Sequence, residues 1–289
     1  MKRSRRRLAI LWDAVLSFNR NDGWAMAGYI AFSCILSLFP FLIAAATLIG
    51  IAVGQARSGE IIDAIFNIVP AHVALTIEPV VIEVLSKSSG RVLTASTLFA
   101  IWVASSAVES FRVAFDRAYR VDDPRGIIHN RLLAIGLVFL GSITAALLGV
   151  SILFAGPILA FVEQFAPLPP GAYSITYGFG VIVLVSFLFI MHKVLPGRSM
   201  KGTQTWPGVL VTTILWITAA TVFTTYLSFT PAYTITYGTL AGVMITLMFF
   251  YITGLTIIYG AELNASLDDR VRSENARMAA GQRLGIPWR

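Results

Sequence analysis

Six apolar runs, at 29–53, 93–115, 132–155, 174–194, 208–229 and 238–261, constrain this chain more than any other feature. Each is long enough, at about 1.5 Å of helical rise per residue, to cross a hydrocarbon core roughly 30 Å thick. Backbone exposed to lipid must satisfy its own polar groups, which leaves a helix or a closed barrel. Barrel strands would show segments of about ten residues alternating in polarity, and these runs do not alternate. Composition agrees, with 56% hydrophobic and 13% charged residues where soluble domains carry about 25% charge, and a mean hydropathy of +0.76. The expected fold is an all-α polytopic membrane protein with six transmembrane helices and amphipathic surface helices.

Charge sets the expected orientation. Nineteen of the 22 Lys and Arg fall in the N-terminal arm, the second-to-third and fourth-to-fifth connections and the C-terminal tail; Arg57, Lys87 and Arg91 lie in the first connection. Basic loops stay cytoplasmic, so both termini are expected on the cytoplasmic side of the membrane. The net charge of +7 then reads as attraction to an anionic inner leaflet rather than to nucleic acid. The organisation follows: a basic arm with an interfacial helix at 1–28, a membrane domain at 29–263 and a basic tail at 264–289. The stretch SRRRLAILW superficially suggests a twin-arginine signal, but Asp13 interrupts its apolar run and no small-residue cleavage site follows. Leu8, Leu11, Trp12, Val15 and Leu16 recur at helical spacing, as in a helix lying on the inner surface. Cys34 is the only cysteine, which excludes an intramolecular disulfide. Within 54–91, Ile62, Ile65, Phe66 and Val69, then Ile77, Val80, Val81, Val84 and Leu85, form two apolar stripes that predict amphipathic helices outside the membrane.

Two near-identical heptads, AYSITYG at 172–178 and AYTITYG at 232–238, each follow a proline. Both place tyrosines, Tyr237 among them, where a chain re-enters the membrane and an aromatic belt forms. Small residues four apart, Gly141, Ala145 and Gly149 on the third run and Gly238, Gly242 and Thr246 on the sixth, predict close helix packing. Pro40 removes a helical hydrogen bond in the first run and predicts a kink or hinge.

Ionisable residues within or beside a span are the strongest functional lead in such a sequence. Glu109, Arg112 and Asp116 are three and four apart, so one helix face presents acid, base and acid. Counted from Val92, Glu109 lies about 26 Å along its helix, near the inner end of the span. Glu262 and Asn264 close the sixth run at a matching depth, within reach of Arg112 or Arg117. These six residues form the expected polar mouth of the bundle. Ser37, Ser105, Ser106, Thr212 and Thr213 form a candidate polar track deeper in the membrane.

The stretches GYIAFSCILSLFPFL, WVASSAVESFRVAFDRAYRVDDPR, KVLPGRSMKGTQTWPGV and TYGTLAGVMITLMFFYITGLTIIYGAELNASL resemble the YihY/BrkB family of bacterial inner-membrane proteins, from about residue 20 to 267. The resemblance implies six membrane helices with cytoplasmic ends and links to envelope maintenance, serum resistance and transport; the family once carried a ribonuclease label. This chain departs from the family pattern at Asp116, where Asn is usual, and at Phe249–Phe250, where Trp is frequent.

Catalysis is not expected. The three histidines, His72, His129 and His192, are scattered, and no metal-ligand spacing, nucleophile elbow or phosphate-binding loop occurs. No cofactor and no metal are expected. The expected function is a passive or gradient-driven conduit for a lipid, amphiphile or ion in envelope maintenance, with membrane lipids and envelope proteins as partners. A non-transporting membrane scaffold is the alternative; an ion antiporter or a membrane nuclease is a remoter one.

Overall fold

The computed structural model describes residues 2–53, 90–152, 171–198, 202–229 and 239–283, with positions 159 and 163; side chains are described for most of 10–38, 98–151, 174–198, 204–229 and 241–273. The two helices expected within 54–91 fall on 54–89, outside these residues, as do the second heptad with Tyr237 and Gly238 and the surroundings of Pro40 and Gly149; Gly90 and Arg91 already belong to the next helix.

Seven helices are present among the described residues: α1 Lys2–Arg20, α2 Gly23–Val53, α3 Gly90–Tyr119, α4 Ile127–Ile152, α5 Ala172–Val194, α6 Gly202–Phe229 and α7 Thr239–Arg283. Five contain stretches apolar and long enough to cross a membrane: Leu98–Tyr119, Ile127–Ala145, Ser174–Val194, Gln204–Leu227 and Ala241–Ser273. In α2 the apolar segment among described residues, Gly23–Leu38, is shorter, and the remainder of the expected first span falls where side chains are not described. The architecture is all-α and polytopic, as the apolar runs require.

Consecutive helices from α2 to α7 pack side by side, α7 returns to pack on α2 and closes the ring, and α7 also touches α3. The solvent leaves its mark on what faces out. Phe99, Leu132, Phe139, Ile143, Ile182, Ile214 and Val222 are exposed, whereas Ser105, Thr205, Thr212, His192, Glu262 and Asn264 are fully buried. A helix in lipid gains nothing by hiding Leu from acyl chains, so small and polar side chains turn inward where partners satisfy them. The apolar core joins Phe115, Tyr119, Leu188, Met191, Leu195, Val209, Ile257 and Ala261 near the charged end of the bundle.

The α6/α7 crossing shows why glycine is needed. A β-carbon on Gly208 would lie 2.2 Å from the Gly260 carbonyl oxygen, and one on Gly260 would lie 1.9 Å from Thr212 Oγ1. Of the small residues singled out by spacing, Gly141 faces Phe187 of α5, whose ring a β-carbon added at Gly141 would meet at 3.5 Å, an ordinary contact distance. Gly242 differs: a β-carbon there would meet nothing within 4 Å among the described residues. The close approach on α7 falls instead one helical stretch later, at Gly260, because that is where α6 crosses.

Helix α1 is the expected amphipathic helix. Ala14, Ser17 and Phe18 are buried against the bundle, while Leu11, Trp12, Val15 and Leu16 are exposed. At the other end of the chain, α7 does not stop at the membrane. Its 45 residues rise about 68 Å, so the helix continues well past a hydrocarbon core of about 30 Å.

Candidate functional site at the charged end of the bundle

The end of α3 is set by its backbone. Arg120 has φ 53°, Arg120 N donates to the Arg117 carbonyl at 3.1 Å and Val121 N to the Asp116 carbonyl at 3.0 Å. This is a Schellman termination, in which a left-handed residue lets two amides satisfy otherwise free helix carbonyls. Glycine usually holds that position; here it is an arginine. The chain then folds back along α3 through VDDPRG, and Asp123 reaches Arg112, eleven residues earlier.

Arg112 is therefore the hub. Its guanidinium meets Glu109 at 2.5 Å, Asp116 at 2.7 Å and Asp123 at 2.9 Å. The expected acid–base–acid ladder is present, with Asp123 as a third carboxylate that the three-and-four spacing did not suggest. A sequence signal for it existed: Asp123 Oδ1 accepts from Arg125 N at 2.9 Å, the local turn that D-x-R favours through an aspartate side chain. Asp123 also accepts from Arg125 Nε at 2.8 Å and Asn130 Nδ2 at 2.9 Å. Burial alone would raise its pKa, but the hydrogen bonds and charge of Arg125, with Asn130, outweigh burial and hold the carboxyl well below the usual carboxylate range.

Arg125 has a second role. Nη1 donates to the Val194 carbonyl at 2.9 Å and Nη2 to the Leu195 carbonyl at 2.6 Å. A cation thus closes the C-terminus of α5, where free carbonyls carry partial negative charge. The following turn seats on the same cluster, since Gly197 N donates to Asp116 Oδ1 at 2.7 Å. A β-carbon at Gly197 would lie 2.7 Å from Asp123 Cα, so no larger residue fits without moving one of the turns.

Glu262 and Asn264 are close in sequence but do different things. Glu262, fully buried, accepts from Asn21 Nδ2 at 2.6 Å and faces Arg120 at 3.5 Å, not Arg112 or Arg117. Arg117 instead pairs with Asp22 at 2.8 Å, and Arg120 also holds Asp269 at 2.8 Å. Asn264 contacts no charge in this set. It accepts from Gly208 N at 2.7 Å and donates to the Thr205 carbonyl at 2.9 Å. Pro207 lies between these two positions inside α6, so the carboxamide brackets a helix whose own ladder proline interrupts.

The candidate polar track divides between seams. Ser37 Oγ donates across to the Val103 carbonyl at 3.0 Å, and Ser105 to the Trp102 carbonyl at 2.7 Å, with Ser106 at 3.5 Å from the same oxygen. Thr212 faces the Thr256 carbonyl on α7 at 3.4 Å, and Thr213 bonds back to Val209 at 2.8 Å. Each hydroxyl satisfies a helix carbonyl, the usual arrangement of Ser and Thr in lipid.

Beside the Arg112 hub lies a cavity of about 870 Å³ between α3 and α4, lined by Glu109, Arg112, Asp116, Arg117, Arg120 and Asp123, with Trp102, Ile127 and Arg131 among the remaining wall residues. Among the described residues no group of three or more His, Cys, Asp or Glu is placed to hold a metal ion.

A ring of apolar helices with outward-facing hydrocarbon side chains and an ion-paired cavity at one end defines a polytopic helical membrane protein. The chain belongs to the family described as Virulence factor BrkB, whose model matches residues 14–283. It is 27% identical over 276 residues to the ribonuclease-like protein YfkH of Bacillus subtilis, an alignment that covers 91% of this chain and 96% of the relative. It is 25% identical over 264 residues to a UPF0761 membrane protein of Alteromonas mediterranea, covering 88% and 85%. A UPF0761 membrane protein of Pseudoalteromonas atlantica is 24% identical over 246 residues, covering 82% and 78%. No solved structure matches.

Proposed function

We propose that this protein is a passive or gradient-driven conduit of the bacterial inner membrane, and that a lipid, amphiphile or ion enters through the cavity beside Arg112. The observation that carries the reading is the cavity itself: about 870 Å³ lined by five arginines and four acids, at the end of a bundle whose outer wall is apolar. Charges at this depth are expensive in lipid and persist where they serve a path or a partner. The reading assigns no catalysis, since Glu109, Asp116 and Asp123 are all engaged by Arg112 rather than poised as a free acid and base. The clustering of α1, the 120–126 turn, the 195–198 turn and residues 262–270 at one end supports a cytoplasmic position for that end and for both termini.

The test is reconstitution into vesicles, with fluorescent-lipid scrambling and ion flux read in parallel for the wild type and Glu109→Gln. The conduit reading expects activity in one assay and its loss in Glu109→Gln at unchanged insertion. A wild-type protein that moves neither lipid nor ions would leave the scaffold role as the better account.

A further inference from the structure

The chemistry of the cargo is narrowed by one arginine, in an inference that rests on the conduit reading. Arg131 lies on α4, one turn inside its start at Ile127, and lines the cavity. Its guanidinium sits 3.8 Å from the centroid of the Trp102 ring, and Nη2 donates to the Trp102 carbonyl at 3.0 Å. Its Nε is buried without a hydrogen-bond partner. The other arginines of the wall face carboxylates: Arg112 three of them, Arg125 Asp123, Arg117 Asp22, and Arg120 Glu262 and Asp269. Among the described residues Arg131 faces none. A cation over an aromatic ring is stabilised, but the ring does not neutralise it or supply an acceptor for its remaining N–H groups. Arg131 is thus the wall arginine left without a carboxylate among the described residues.

The surroundings indicate which anion. Trp102 and Ile127 line the cavity and are also 56% and 90% exposed, so the cavity opens through an apolar edge and not only toward the charged cluster. One turn from Trp102, Phe99 is exposed; beside Arg131, so are Ile128 and Leu132. Residues three apart share a helix face, so the opening between α3 and α4 is continuous with the surface that meets acyl chains. A small anion from water has no use for that wall. An anion carrying an acyl chain fits both halves.

We propose that the α3/α4 seam binds an anionic phospholipid laterally, its phosphate on Arg131 and an acyl chain along Phe99, Trp102 and Leu132. Guanidinium suits this task because its planar fork offers paired donors to phosphate oxygens. Asp122, exposed on the rim, disfavours a second phosphate close by and limits the site to one headgroup.

The test is native mass spectrometry of the purified full chain with added phosphatidylglycerol or phosphatidylcholine, on the wild type, Arg131→Gln, Arg131→Lys and Trp102→Leu. The wild type is expected to retain phosphatidylglycerol selectively. Arg131→Gln should lower that retention by about tenfold, a free-energy change of about 1.4 kcal/mol, and Arg131→Lys by less, because lysine keeps the charge without the fork. Trp102→Leu keeps the arginine and an apolar wall, so it reads the site even if Arg131→Gln does not fold; it should weaken retention while leaving the preference for phosphatidylglycerol. Equal retention of the two lipids by the wild type, or no change in Arg131→Gln, overturns the proposal, as does displacement of the lipid by millimolar inorganic phosphate. The vesicle assay decides the conduit separately: selective retention without movement leaves this site standing and removes the conduit, and movement with unselective retention does the reverse.

Discussion

Asn264 on α7 holds Gly208 on α6: its Oδ1 accepts from the Gly208 amide at 2.7 Å, and the same carboxamide donates to the Thr205 carbonyl at 2.9 Å. Asn264→Ala leaves a buried amide without its partner, a loss of roughly 1–3 kcal/mol. Thermal unfolding in detergent should show a clear fall in midpoint. Asn264→Asp should fall too, because a carboxylate still accepts from Gly208 but donates nothing to Thr205 and adds a buried charge. An unchanged midpoint in both would mean the bracket does not stabilise the crossing.

Gly208→Ala probes the same place from the opposite side. A β-carbon 2.2 Å from the Gly260 carbonyl oxygen and 2.4 Å from Asn264 Cγ forces the helices apart, and overpacking of this kind costs about 1–3 kcal/mol or more. The change adds helix propensity to α6, so a stabilised Gly208→Ala protein would refute the close crossing.

These two positions show where sequence reading succeeds and where it stops. The apolar runs require helices, and α3 to α7 are there; the spacing of Glu109, Arg112 and Asp116 requires a ladder, and it is there. Spacing within one helix reports only that helix. That Glu262 meets Asn21 and Arg120, or that Gly208 meets Gly260, depends on which helices adjoin, and hydropathy carries no such information. Asp123 lies beyond the reach of helical spacing for a related reason: its pairing with Arg112 needs the connection to fold back along α3, which rests on Arg120 adopting a left-handed conformation unusual for its type.

That conformation gives a prediction of opposite sign to the usual one for glycine. At φ 53° an L-residue is strained by about 1–2 kcal/mol and glycine is not. Arg120→Gly and Arg120→Ala lose the same ion pairs to Glu262 and Asp269, yet the Gly variant should be the more stable by about 1 kcal/mol. Paired melting curves of the two proteins check this, and a more stable Ala variant would contradict the helix ending described.

Arg112 and Glu109 should behave unequally although they form one ion pair. Arg112→Gln leaves Glu109, Asp116 and Asp123 without their shared cation, and removing one partner from a largely buried cluster costs roughly 3–5 kcal/mol. Its abundance in membranes should drop sharply. Glu109→Gln leaves Arg112 with Asp116 and Asp123 and should insert normally. Quantitative blotting of membrane fractions separates the two, and equal loss would mean that Glu109 is structural and unsuited to testing transport.

Asp123 sets the response to acid. Its folded-state pKa lies below the ordinary value of about 3.9, so it binds a proton less readily folded than unfolded. Its contribution is therefore complete above the unfolded value and lost as pH falls through about 4 toward the folded one. Protonation would weaken its contacts with Arg112, Arg125 and Asn130 and with them the link from Arg125 to the end of α5. In Asp123→Asn the melting temperature should start lower at pH 7 and change less between pH 5 and 3 than in the wild type. The comparison is insensitive to other carboxylates, which titrate in both proteins, so parallel curves would show that Asp123 does not carry this part of the acid response.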